Sequence, residues 1–535
     1  MNDIFEEFSN EFFKTYLEIN PQAGTHLGLH EYDGKVADVS ENGIKKEIQI
    51  YKELYRKLRK INHEELSSIN RYDYDVAKWA IESELFDLEE IKSYKKNPMI
   101  YVLMFSGFDK YLSMDYAPFE DRLRSIINII DKIPEVLNEA EINLEKSLPG
   151  LLCKYAKNFS TGYISFFQNE LLTVIKEKTD NKKLIEKYIQ KSGEAVKALE
   201  RYIGFIDKAG SDTNENFRLG KDKFLKMLKV KEQIDLSIED IKKLGSDELK
   251  RLQDELAKVI KENNFEGKLE TLEHSHPAEG SLISDTNNML NELVDFIRDK
   301  DLINLPEELN CIVTEMPKYS DFGFAAMGTA GPFEKSNESF YYVNLPDKNW
   351  DEMKKKEWLS QFNYPALKLI SIHEAYPGHY THFLNANKYS TKLSKLFMSY
   401  SYIEGWAHYA EEMMIEQGYS KDDFKSKIGM LIEALIRCCR YFAAIGIHCG
   451  NMTVEEAKQF FFKNAYMNET TAMQEAERGA FDPGYLNYTL GKILIKTFRE
   501  KYFAKFNETK SLKDFHNRIV SLGAPTYKIA ESFVL

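Results

Sequence analysis

LRSIINIIDKIPEVLNEAEINLEKSLPG, residues 123–150, decides how the rest of this chain reads. Leu123, Ile126, Ile127, Ile130, Ile133, Leu137 and Leu144 follow steps of three, four and seven. That spacing lines one face of an α-helix, and Pro149-Gly150 is expected to stop it. From Asp3 to about Arg298 the chain goes on in the same way, in amphipathic segments with short breaks and no run of strand alternation. Only 14 prolines interrupt 535 residues in which Lys, Glu, Leu and Ile are prominent. A mainly α, large helical fold is the expectation.

Between Leu309 and Asn344 the character changes. CIVTE and FYYVN, residues 311–315 and 340–344, favour strand, and the link DFGFAAMGTAGPFEKSNES is rich in Gly, Ser and Asn. A small β hairpin or sheet is expected here, directly before the segment with the most chemistry. Phe322 to Asn344 would then offer an extended edge where a peptide adds as a strand, with Tyr342 and Asn344 as candidate substrate contacts. A plain structural hairpin fits the same residues. No tandem repeat or low-complexity linker divides the chain. One continuous fold over 1–535 is expected, helical over 1–300, with 301–535 carrying the hairpin and the site.

A net charge of −13, spread among interspersed basic residues, argues against nucleic acid and anionic membrane as partners. The start, MNDIFEEFSNEFF, is acidic, and no apolar run approaches the roughly 18 residues of a membrane span. The expectation is a cytoplasmic protein. Five cysteines form no CxxC pair and read as reduced, mostly buried thiols.

Five of the 11 histidines (His373, His379, His382, His408 and His448) fall in one region, and two bracket HEAYPGH. In zinc peptidases a His-Glu pair opens a helix-borne motif in which two imidazoles one turn apart bind the metal and the glutamate takes a proton from water. Here the second histidine comes late. A step of four returns to within about 40° of the same helix face, whereas the step of six from His373 to His379 lands about 240° round. Pro377 cannot donate to the carbonyl of His373, and Gly378 admits backbone angles closed to other residues, so a broken turn could restore the pair. The competing reading is a helix that simply ends at Pro377.

YIEGWAHYAEEMM places Glu404, His408 and Glu411 on one helix face. Two imidazoles and one carboxylate, with a position left for water, form a recurring catalytic zinc set, and Glu404 fits the carboxylate slot. His408 and Glu411 read either as partners that orient the ligands or as a solvated face. Downstream, Arg437, Arg440 and His448 share a helix, while Glu475, Arg478, Tyr485 and Tyr488 surround a Pro-Gly turn. A Tyr, His or Arg among them could supply the donor that a developing oxyanion needs.

On these motifs the chain resembles, along nearly its whole length, the bacterial family known as domain of unknown function 885. HEAYPGH, EGWAHYAE (404–411), RYFAAIGIH (440–448) and DPGYLNYTLGK (482–492) carry the resemblance. So do P-x-x-x-T-x-L-G-x-H at Pro21 to His30 and the late DFHNRIVSLGAP. The resemblance implies a helical peptidase fold around a deep cleft, His373, His379 and Glu404 as zinc ligands, Glu374 as base, and Arg478 and Tyr488 facing the substrate. Two positions depart from the family pattern: Ala444, where aspartate is usual, and Tyr380, where a second histidine is common.

Three functions compete. The first is zinc-dependent hydrolysis of short peptides. The second is an inactive peptide-binding protein on the same fold, which would have no need of a base beside its ligands. The third is a di-iron carboxylate protein, which needs two Glu-x-x-His units, and only Glu273 to His276 has that form.

Overall fold

The computed structural model describes every residue except 212, 317–323 and 507–509. The first residues of the expected extended edge, Phe322 and Gly323, therefore lie outside the described residues. The fold is mainly α, with two small sheets among the described residues. Two compact units are present, the first built from Met1–Arg218 and Ala330–Asn337. The second holds Leu219–Met316, Glu338–Leu535 and the strand Ala325–Gly328.

In the first unit the apolar stripe behaves as its period demands. Leu123, Ile126, Ile127, Ile130, Ile133 and Leu137 are buried on the helix Phe119–Asn143, which packs along the helix Lys182–Ala209. The helix ends at Asn143, not at Pro149. Asn143 gives its side-chain amide to the carbonyl of Val39, and Leu144 turns extended. The Pro21–His30 motif has a packing role in this unit. Phe333 donates its backbone N–H to the carbonyl of Leu27, and the His30 ring lies between Asp33 and Glu334, at 3.1 and 3.2 Å.

In the second unit a three-stranded sheet stands before the site: β1 (Cys311–Glu315), β2 (Ala325–Gly328) and β3 (Ser339–Val343). Its order is β1-β3-β2, with β1 parallel and β2 antiparallel to the central strand. β2 packs against the helix α1 (Tyr364–Glu374), which starts on an Asn363 cap with Pro365 in its first turn. Then follow α2 (His379–Tyr389), α3 (Tyr400–Glu416), α4 (Phe424–Cys449), α5 (Glu469–Phe481) and α6 (Asn487–Phe506). A Thr453–Glu456 capping box opens the helix Val454–Ala465 between α4 and α5.

α3 and α6 make the most extensive helix pairing of the unit because two glycines meet. A Cβ on Gly491 would fall 2.0 Å from the carbonyl oxygen of Ser401, and one on Gly405 would fall 2.5 Å from the Gly491 backbone. The helices thus touch backbone to backbone, one residue from Glu404 and three from Tyr488. Among the described residues no helix is long and apolar enough to cross a membrane, and all five cysteines are free thiols.

Candidate metal centre

The six-residue step between the histidines is resolved by a break. α1 stops at Glu374 and α2 begins at His379, with Gly378 between them. The amide of Gly378 donates to the carbonyl of Ile372 at 2.9 Å, and a Cβ there would overlap the carbonyl oxygen of His373, so no larger residue fits this turn. The Tyr376–Pro377 peptide is cis. Trp406 on α3 donates its indole N–H to the carbonyl of Pro377 at 2.9 Å, tying the turn to the helix of Glu404. The two imidazole rings end 4.7 Å apart and perpendicular.

Glu404 completes a trio with them. Its Oε2 lies 3.3 Å from His373 Nε2 and 3.6 Å from His379 Nε2. Four ligands at the usual zinc distances of about 2.0–2.1 Å stand about 3.3–3.4 Å from one another in a tetrahedron. The observed separations match that edge. A different trio of His373, Glu374 and His379 also has its donor atoms within 4.8 Å of one another. That grouping sets Glu374 as a second carboxylate beside the two imidazoles. Glu404 Oε2 is also buried and, among the described residues, accepts no well-formed hydrogen bond.

The trio is oriented from behind. His373 Nδ1 donates to Glu411 Oε1 at 2.7 Å, which turns Nε2 towards Glu404. Glu411 is fully buried and also meets Arg437 at 3.1 Å and His408 Nδ1 at 3.3 Å. Burial works against charge on His373, yet the carboxylates of Glu404 and Glu411 outweigh it and hold the ring's pKa up at about 9. Burial likewise works against the Glu411 charge, but Arg437 and His408 keep the carboxyl well below its usual range. His408 is pushed down to about 3 by burial and then by Lys492. Of the two alternatives read from the sequence for His408 and Glu411, the structure places both in the interior.

Tyr488 on α6 lies nearly parallel to the His373 ring, with centroids 6.5 Å apart. Burial raises its hydroxyl pKa, and the charge of Glu404 adds to this, so it stays a donor. Arg478 on α5 brings Nη2 to 3.5 Å from that hydroxyl. Tyr400, one turn before Glu404, packs edge-on to Tyr488 at 5.8 Å and gives its hydroxyl to Asp482. Sequence reading passed over Tyr400, although its four-residue step from Glu404 puts both on one face.

The other expected residues sit elsewhere. His448 Nε2 donates to the carbonyl of Gly479 at 3.0 Å, a strut between α4 and α5. His382 gives Nε2 to the carbonyl of Gly523 at 2.8 Å. On the sheet it is Tyr341 that faces α1, its hydroxyl 3.3 Å from Ser371 Oγ. Tyr342, one residue on, points to the opposite face and stacks on Phe340. Asn344 holds Phe324 and Trp358 through its backbone. Ala444 is sealed in the core of α4, and Tyr380 packs edge-on to Tyr376, so both departures from the family pattern are absorbed by packing.

Fold and motifs together define a member of one bacterial family. Residues 21–534 match the family described as "Bacterial protein of unknown function (DUF885)", and the chain belongs to it. No curated protein matches the chain. Two solved structures share the fold across 99% of this chain. One is a candidate lipoprotein of unknown function from Shewanella oneidensis, 24% identical, with a TM-score of 0.82 and 99% of its own length covered. The other is a candidate lipoprotein from Colwellia psychrerythraea, 17% identical, with a TM-score of 0.85 and 98% of its own length covered.

Proposed function

We propose that this chain is a zinc-dependent peptidase that hydrolyses short peptides. The observation that carries the reading is the convergence of His373 Nε2, His379 Nε2 and the buried Glu404 Oε2 at ligand–ligand distances, with Glu374 beside them. His373, His379 and Glu404 would hold the ion. When bound, zinc supplies a Lewis acid that polarises the peptide carbonyl and acidifies water.

The residues of the chain do the rest. Glu411 accepts from His373 Nδ1 and so turns Nε2 towards the ion, which would take the place of the Nε2 proton. Glu374 accepts the proton of the attacking water and passes it to the leaving amine. Tyr488 donates its hydroxyl to the oxygen that gains charge. The outer strand β2, packed on α1, offers main-chain groups to an extended peptide. We place the activity in the cytoplasm, a placement that recovery of the native chain in a membrane fraction would overturn.

Replacing Glu374 by glutamine tests the assignment. The shape is kept and the base is lost, so zinc and peptide still bind while cleavage falls by roughly 10²–10⁴-fold. Hydrolysis at the wild-type rate would remove HEAYPGH from the catalytic centre. Peptide binding without hydrolysis by the wild-type protein would favour the inactive binding protein instead.

A further inference from the structure

Three arginines approach the centre, and two are spoken for. Arg437 is held by Glu411 and Glu433, and Arg440 by both oxygens of Glu475. Arg478 has no such partner among the described residues. Its nearest carboxylate oxygen, Asp482 Oδ2, is 3.7 Å from Nε. That carboxylate already accepts from the Tyr400 hydroxyl and, through its other oxygen, from the Gly484 amide, each at 3.1 Å. The Arg478 side chain is 43% exposed, and its guanidinium carbon lies 4.6 Å from the centre of the Tyr485 ring, whose face supports the cation. A planar fork held in this way matches a carboxylate, which can accept two of its N–H groups at once.

Building on the peptidase reading, we propose that Arg478 binds the terminal carboxylate of the substrate, so that the enzyme is a carboxypeptidase releasing one residue at a time. The nearness of the two donors favours a cut close to the end of the chain. Arg478 Nη2 and the Tyr488 hydroxyl are 3.5 Å apart. One residue of extended chain spans about 3.3–3.6 Å. With Tyr488 at the carbonyl oxygen of the bond to be cut, a carboxylate at Arg478 is near enough to belong to the next residue, which would be the last. Recognition of an amino end would instead require an open carboxylate. The acids here are committed: Glu404 to the ion, Glu374 to the proton, Glu475 to Arg440, and Asp482 to Tyr400. The reaction consumes one water. Its oxygen joins the carbonyl carbon, the C–N bond breaks, and Glu374 delivers the proton to the nitrogen of the released amino acid.

The test uses the zinc-loaded chain and three peptides of one sequence: a free acid, its C-terminal amide and its N-acetylated free acid, with products identified by mass. The free acid should lose its last residue, N-acetylation should leave the rate unchanged, and the amide should react roughly 100-fold more slowly. Arg478→Gln should bring the ratio of free acid to amide towards one, chiefly through KM, with zinc content unchanged. Arg478→Lys should restore only part of the preference, since it keeps the charge without the fork. Equal rates on acid and amide would overturn the proposal while leaving the peptidase reading intact. So would an Arg478→Gln variant that slows both by the same factor, which would mark an arginine that only supports Tyr488. If no peptide is cut, the peptidase reading itself falls, and this proposal falls with it.

Discussion

Replacing Gly491 by alanine should disturb the site without touching any group that does chemistry. The added methyl would lie 2.0 Å from the Ser401 carbonyl oxygen, where ordinary contact begins at 3.4 Å. Both neighbours are helix backbone, so no side chain can swing aside, and α3 and α6 must part by more than 1 Å. Overpacking of this kind costs about 1–3 kcal/mol. The functional cost should be larger, because the two helices carry Glu404 and Tyr488, and a misplacement of about 1 Å can cost roughly 100-fold in rate. Gly491→Ala should therefore melt at a lower temperature and lose roughly 100-fold in kcat/KM on a peptide that the wild type cleaves. Differential scanning calorimetry and steady-state kinetics read the two effects separately. A variant that matches the wild type in both would refute the idea that the glycine crossing sets the spacing between ligand and hydroxyl.

Glu411→Gln should weaken zinc binding by about 10–100-fold, as loss of a ligand-orienting group does, while leaving Arg437 buried with only Glu433; unchanged affinity in a competitive chelator titration would contradict the role given to Glu411. His382→Ala should keep one zinc per chain but lose stability, since His382 is spent on the Gly523 carbonyl; loss of the metal would make His382 a ligand. His516 is buried, donates to the Leu302 carbonyl and meets the Tyr409 hydroxyl, and burial pushes its pKa down to about 4. The unfolded chain takes up this proton near pH 6.5 and the folded chain does not, so stability should fall as pH drops from about 6.5 to about 4, by about 3 kcal/mol from this group. His516→Asn should flatten that stretch of the stability–pH curve in denaturant titrations, and an identical slope would show that His516 does not cause it.

How much of this was legible in the sequence differs from element to element. The stripe from Leu123 to Leu137 needs only the helical period and a core to face, so its burial follows from local pattern. The break at HEAYPGH was also legible, because Pro377 and Gly378 are the two residues that permit it. What they cannot convey is the turn's anchor, which is Trp406 on another helix. Register on the sheet escapes sequence reading for a similar reason. Tyr341 and Tyr342 are chemically identical, and a shift of one residue exchanges their faces, so only the pairing with β1 and β2 shows that Tyr341 meets α1. The placement of Glu411 and His408 could not be read, since the same helix face reads as solvated or interior until a partner such as Arg437 arrives from α4. The glycine crossing had no signal in one sequence, because it joins positions 86 residues apart.

The central claim is that His373, His379 and Glu404 hold zinc in a working centre, and metal stoichiometry tests it most directly. Purified wild-type chain, loaded with zinc and freed of excess, should carry one zinc per chain by elemental analysis. Glu404→Ala should carry far less under the same treatment, because two imidazoles alone leave the charge of the ion uncompensated. A Glu404→Ala protein that keeps one zinc as tightly as the wild type, or a wild-type protein that keeps none, would contradict the claim.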